Sequence, residues 1–178
     1  MSSEKVVFAQ SMEGIYRALT PHTPQERAAF LKAGVKTGDH FDAAYPIQAW
    51  LDILDASAAS RFAHLPELER YTEVGRVFFL GFGKTLMGSA VLGLLKVIGP
   101  RRTLDRLTRN FRSANNFTVG TFESFSANHH KVHINWTARP GFYLGLIESG
   151  CAHAGAKDLS VTVLETKDLG TFYEVKWA

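Results

Sequence analysis

Cysteine is almost missing from this sequence. The single Cys151 excludes an internal disulfide and fits a reducing compartment, so a cytoplasmic protein is expected. The opening stretch MSSEKVVFAQSMEGIYRAL has no continuous apolar segment of signal-peptide type, so export by that route is not expected. No repeat, low-complexity tract or linker divides the 178 residues, and one domain, 1–178, is expected. Catalytic signatures are missing as well: there is no nucleophile elbow, paired-carboxylate motif or cofactor fingerprint. Gly83-Lys84-Thr85 ends like a phosphate-binding loop, but the glycine required five positions before Gly83 is Phe78, so the match is a coincidence of composition. With 46% hydrophobic and 21% charged residues, the chain is neither disordered nor fibrous.

What is present begins with a long apolar run, Arg76–Ile98. Val77, Leu80, Met87, Val91, Leu94 and Ile98 fall on one helical side, while Gly81, Thr85, Ser89 and Gly93 form a row of small residues every fourth position. Small residues let another backbone approach, so the run reads as a central buried helix packed on more than one side. Its length reaches that of a membrane span, but the internal Lys84 and four glycines argue against spanning.

Punctuation residues divide the remainder. A helix is predicted from about Ser11 to Leu19. Thr23, Pro24 and Glu26 form a helix start, with Gly34 as its stop. Val35–Tyr45 reads as loop, Pro46 opens a helix buried through Ile47, Trp50, Leu51 and Leu54, and Pro66 begins one that feeds the central run. Gly99-Pro100 separates that run from a helix over Arg101–Arg112. Strands are predicted at Phe117–Phe125 and His130–Thr137, a helix from Pro140 to about His153, and strands at Leu159–Thr166 and Thr171–Trp177 about the turn Lys167–Gly170. The predicted fold class is α+β: a helical N-terminal two-thirds (about 1–113) packed on a C-terminal antiparallel sheet of about four strands (116–178).

Three groups of side chains are candidates for function. Phe78, Phe82, Met87, Phe122, Trp136, Phe142 and Tyr143 lie where helix and sheet should meet; a glycine-notched helix against aromatic strands predicts an apolar ligand pocket there. Arg102, Arg106 and Arg109 line one side of Arg101–Arg112, where five arginines face only Asp105; a solvated face pairing with Glu67, Glu69 or Glu73 competes with a partner or anion surface. Nucleic acid is not expected, because no recognition motif accompanies the charge. His129, His130 and His133 give no metal site: His129 and His133 stand roughly 13 Å apart on a strand, and His130 points the other way.

The element order, the run Gly141–Gly150 and the closing hairpin Phe172–Trp177 resemble the ligand-binding fold shared by 4-vinyl-reductase-type domains, haem–nitric-oxide-binding domains and TRAPP small subunits. More closely, GR-x-FF-x-GF at Gly75–Phe82 and PRR-x-L at Pro100–Leu104 resemble an uncharacterised myxobacterial family of about this length. The resemblance implies a helical layer over an antiparallel sheet, an apolar cavity and frequent dimers. This chain departs from it in lacking cysteines near the final hairpin and a Tyr-x-Ser-x-Arg motif, and its cysteine is late, so no metal, haem or acyl group carries over and no cofactor is expected.

Together these observations favour a non-catalytic small-molecule-binding or sensory domain. The alternative is a homodimeric interaction module that uses the small faces at Gly141, Gly145 and Ser149 and the arginine helix. An enzyme of undefined class ranks third.

Overall fold

The computed structural model describes residues 4–178, apart from the side chain of Met87. Strand β1 (Val6–Phe8) runs directly into helix α1 (Ala9–Ala18). Helix α2 (Pro24–Lys32) starts with a reciprocal cap: the Thr23 hydroxyl accepts from the Glu26 N–H at 3.2 Å, and the Glu26 carboxylate accepts from the Thr23 N–H at 2.8 Å. Gly34, at φ +88°, closes it as predicted. Strand β2 (Ala44–Pro46), in a stretch read as loop from sequence, pairs antiparallel with β1. Helices α3 (Ile47–Arg61) and α4 (Glu67–Phe82) follow.

The predicted central rod is two helices. α4 stops at Phe82, and α5 (Leu86–Ala114) starts after Thr85, whose hydroxyl donates to the Phe82 carbonyl at 2.8 Å and accepts from the Gly88 N–H at 3.0 Å. Gly88 permits this turn because the Phe82 carbonyl lies where a Cβ would be. The stripes of the rod are split accordingly. Of the large stripe, Leu80 and Leu94 are 66% and 39% exposed. Of the small row, Gly81 packs on Ala18 of α1, whereas Gly93 has open space around it. α5 bends again at Gly99 (φ +78°), just before Pro100.

The buried centre is instead α6 (Pro140–His153), covered along most of its length. Gly141 and Gly145 lie against the Leu68 and Thr72 carbonyls of α4, and Gly75 of α4 lies against the Phe142 carbonyl. The two backbones therefore touch. The small faces at Gly141 and Gly145, expected to serve a dimer, are occupied by α4 of the same chain. Strands β3 (Gly120–Ser124), β4 (His129–Ile134), β5 (Ser160–Lys167) and β6 (Gly170–Lys176) form an antiparallel sheet in the order β3-β4-β6-β5. His130, Val132, Ile134, Tyr173 and Val175 alternate inward, and Tyr173 donates to the Pro140 carbonyl of α6 at 2.8 Å. This is the α+β segregation read from the sequence, with helices first and the sheet last.

Two ion pairs tie distant segments. Arg61 grips the fully buried Glu26 through both carboxylate oxygens, at 2.6 and 2.8 Å, and also donates to the Leu19 and Pro21 carbonyls. Arg139, at the start of α6, grips Asp55 of α3 at 2.7 and 2.6 Å, and Tyr71 of α4 donates to the same carboxylate at 2.8 Å. Among the described residues, no helix is long and apolar enough to cross a membrane.

Candidate functional site

Where α4 and α5 diverge, they leave a cleft of about 170 Å³. Phe78, Phe79 and Phe82 of α4 form one wall, and Leu92, Leu95 and Phe111 of α5 the other, with α1 closing the side. A narrower extension of about 50 Å³ shares Phe78 and Phe111 and reaches Trp50, Phe142 and Tyr143. These rings brace one another edge-on: Trp50 meets both Phe78 and Phe142 at 5.7 Å, and Phe111 meets Tyr143 at 5.7 Å. The wall is therefore rigid and apolar. The mouth is polar and lies along α5, where Arg106, Asn110 and Ser113 stand beside the apolar Leu107, Phe111 and Ala114.

The sequence places the expected pocket between the central helix and the sheet. That seam is filled by Ile134, Ile147, Tyr173 and Val175, and the space lies instead among the helices. The reason is α6, which occupies the position in front of the sheet expected for the central rod. Phe78, Phe82, Phe142 and Tyr143 are brought together around the cleft and its extension. Phe122 is not; it lies on edge strand β3, with its ring 5.1 Å from buried His130, and borders a polar groove. Trp136 lines neither space; it packs edge-on at 4.7 Å against Phe117, which lines the extension. The side chain of Met87 lies outside the described residues. Sequence reasoning misses Phe79, Leu92, Leu95 and Phe111 as site residues, although Leu107 and Phe111, one turn apart, mark the inner side of their helix.

The arginine face divides too. Arg102 and Arg109, with Arg101, border a groove of about 420 Å³ between α5 and β3, whereas Arg106 lines the apolar cleft. Arg109 pairs with Asp105 at 2.9 Å. Among the described residues, none of these arginines reaches Glu67, Glu69 or Glu73, and Glu73 is taken by Arg76.

Chemically, the cleft is quiet. Its serines are committed to backbone: Ser11 donates to the Ala114 carbonyl at 3.2 Å and Ser113 to the Asn110 carbonyl at 2.7 Å. Burial pushes the Tyr143 phenol up to about 12, and its hydroxyl meets that of Thr118 at 3.3 Å. Burial likewise pushes the Cys151 thiol up to about 12, which keeps it protonated at neutral pH. The histidines separate by face. His129 and His133 lie outward, against Glu174 (2.9 Å) and Phe172 (ring centroids 4.2 Å). His130 is buried between Phe122 and Trp177. Its Nε2 sits 3.2 Å from the Ala127 carbonyl, which can only accept, so Nε2 carries the proton and Nδ1 accepts from Ser124. Among the described residues, no group of three His, Cys, Asp or Glu is placed to hold a metal.

A family profile covers residues 5–178. The chain belongs to the DUF2378 family. That family is described as one of unknown function, and no curated protein matches the chain. Among solved structures, this DUF2378 chain is similar to the Fe(II) unliganded H-NOX protein of K. algicida, with 12% identity, a TM-score of 0.63 and 95% of each chain covered. A mutant of that same protein gives 13% identity and a TM-score of 0.65 over 96% of this chain and 95% of that one. An oxygen-binding H-NOX domain related to soluble guanylate cyclases gives 16% and 0.56 over 93% and 92%. At such identities the likeness is one of fold, and it spans the helices and the sheet together.

Proposed function

We propose that this DUF2378 chain is a non-catalytic small-molecule-binding domain of sensory type, whose site is the cleft enclosed by α1, α4 and α5. The observation that carries this reading is the cleft: an aromatic-walled space of about 170 Å³, with a polar mouth and no nucleophile–base pair among the described residues along it. Its size is close to that of an engineered apolar cavity of about 150 Å³ that accepts benzene, so a single ring or an alkyl group of similar bulk suits it. The H-NOX fold, in which one similar structure is an oxygen complex, supports a binding role over turnover.

Haem is named for two of the similar structures, and the described residues lining the cleft do not fit it. Iron in haem takes an axial His, Cys, Met or Tyr. Among the described residues lining the main cleft there is none of these, and α5 contains no histidine. Tyr143 reaches only the narrow extension, as a neutral phenol bonded to Thr118. The cleft is also smaller than the roughly 300–1,000 Å³ of sites that take drug-sized molecules.

The test is a thermal-shift screen of small aromatic and alkyl compounds on the wild type and on Val91→Trp, since Val91 of α5 also lines the cleft and an indole there would fill it. Wild-type Tm should rise with some members and the variant's should not. A screen in which no member shifts the wild type, or both proteins shift alike, would overturn the reading.

A further inference from the structure

The structure separates Arg106 from the other arginines of α5 and sets it on the rim of the cleft, and from this we infer the charge of the occupant. We propose that the cleft takes an amphiphilic carboxylate, its apolar ring or chain among Phe78, Phe82, Leu92 and Leu95 and its carboxylate held at the mouth by Arg106. This inference rests on the binding reading above and adds a ligand class to it.

Four observations carry it. Among the described residues lining the cleft, Arg106 is the only charged one, and no acidic side chain lines it. Among the described residues Arg106 makes no ion pair, because the nearest acid in sequence, Asp105, is held by Arg109. A guanidinium is charged at every physiological pH, so it presents a permanent cation to whatever enters. Asn110 stands one helical turn from Arg106, also on the cleft, with amide donors that can join it on a planar anion.

The surface of α5 thus carries two adjacent rows: Leu107, Phe111 and Ala114 on the cleft side, and Arg106, Asn110 and Ser113 along the lip. A molecule lying along that boundary meets apolar surface on one flank and donors on the other. A neutral apolar molecule would use only the first row. An amine would bring a second cation to an unshielded arginine.

Titration calorimetry of the full chain with 3-phenylpropanoate, 3-phenylpropan-1-ol and 3-phenylpropylamine tests this, because the three share a ring and differ in charge. The wild type should bind the acid at least about ten-fold more tightly than the alcohol, and the amine most weakly. Arg106→Gln should bring the acid level with the alcohol without weakening the alcohol, and Arg106→Lys should keep part of the preference. Arg106 is exposed, so these variants keep the fold, and their circular dichroism should match the wild type. Equal wild-type affinity for acid and alcohol, or an undiminished preference in Arg106→Gln, overturns the carboxylate inference and leaves the cleft reading intact. If none of the three binds the wild type, or all bind Val91→Trp as well as they bind the wild type, the cleft reading fails and this inference with it.

Discussion

Arg61 shows how much a single side chain can hold in this protein. It compensates a carboxylate with no exposure and also satisfies two backbone carbonyls. Removing the cation while leaving the acid buried typically costs about 3–5 kcal/mol, so Arg61→Met should lower the unfolding free energy by about that much in a urea titration. An unchanged midpoint would contradict the role given to the pair. Burial alone would raise the Glu26 carboxyl, but its bonds from Arg61 and Thr23 outweigh that and hold it below its ordinary value. The sign follows: this stabilisation is complete above the unfolded carboxyl pKa of about 4.3 and is lost as pH falls through the lower folded value. His130 acts at milder pH. Burial, then the neighbouring Arg101 and His129 charges, depress its pKa despite the opposing bond to Ala127. Its contribution is therefore full above the unfolded value of about 6.5 and declines as pH falls below it. His130→Gln should show a shallower loss of stability between about pH 7.5 and 5.5 than the wild type. Equal slopes would assign that loss to other groups.

At the scale of elements, the decisive contact is the backbone-to-backbone packing of α4 on α6. Gly145 has the Thr72 carbonyl where a Cβ would go, so Gly145→Ala must push the helices apart and should cost about 3 kcal/mol. Gly93 is helical, exposed and unobstructed, so Gly93→Ala should stabilise by about 0.5–1 kcal/mol. Denaturant midpoints that move in the same direction for both would contradict this assignment of roles. These two glycines also show what the sequence can convey. Most element ends are legible, because Thr23-Pro24-Glu26, Gly34 and Pro140 act locally through φ and missing N–H groups, as Gly99-Pro100 does at the bend inside α5. The break at Gly83–Thr85 is not, since the apolar period continues through it and the turn depends on a threonine cap that is ordinary inside a helix. Nor is the partner of Gly141 and Gly145, which lies some seventy positions earlier on α4. Among site residues, Phe78, Phe82, Phe142 and Tyr143 are legible because aromatic side chains concentrate where elements pack. Phe122 is misplaced by the same reasoning because its strand is at the sheet edge, where the inward face meets arginines of α5 rather than α6. Arg106 cannot be told from Arg102 and Arg109 by spacing; what distinguishes them is the neighbour each faces, the cleft beside α4 or the groove beside β3.

At the scale of the whole molecule, occupation of the cleft should appear as global stabilisation. A ligand at 100 times its Kd adds about 2.7 kcal/mol, which for a chain of this length corresponds to a Tm rise of roughly 5–10 °C. The shift should grow with the logarithm of ligand concentration; a plateau at low occupancy would signal binding elsewhere or to the unfolded chain as well. The clamp between Asp55 and Arg139 has a different consequence, for how the molecule is made. Its partners are separated by 84 positions. At a translation rate of about 5–20 residues per second, Asp55 leaves the ribosome roughly 4–17 s before its partner does. From the emergence of α4 until then, the side of α4 that carries Leu68, Thr72 and Gly75 lacks α6 to lie against. The N-terminal helices therefore emerge as an unfinished shell that α6 closes from within, and a nascent chain stalled short of Pro140 is left with its α4 docking groove open.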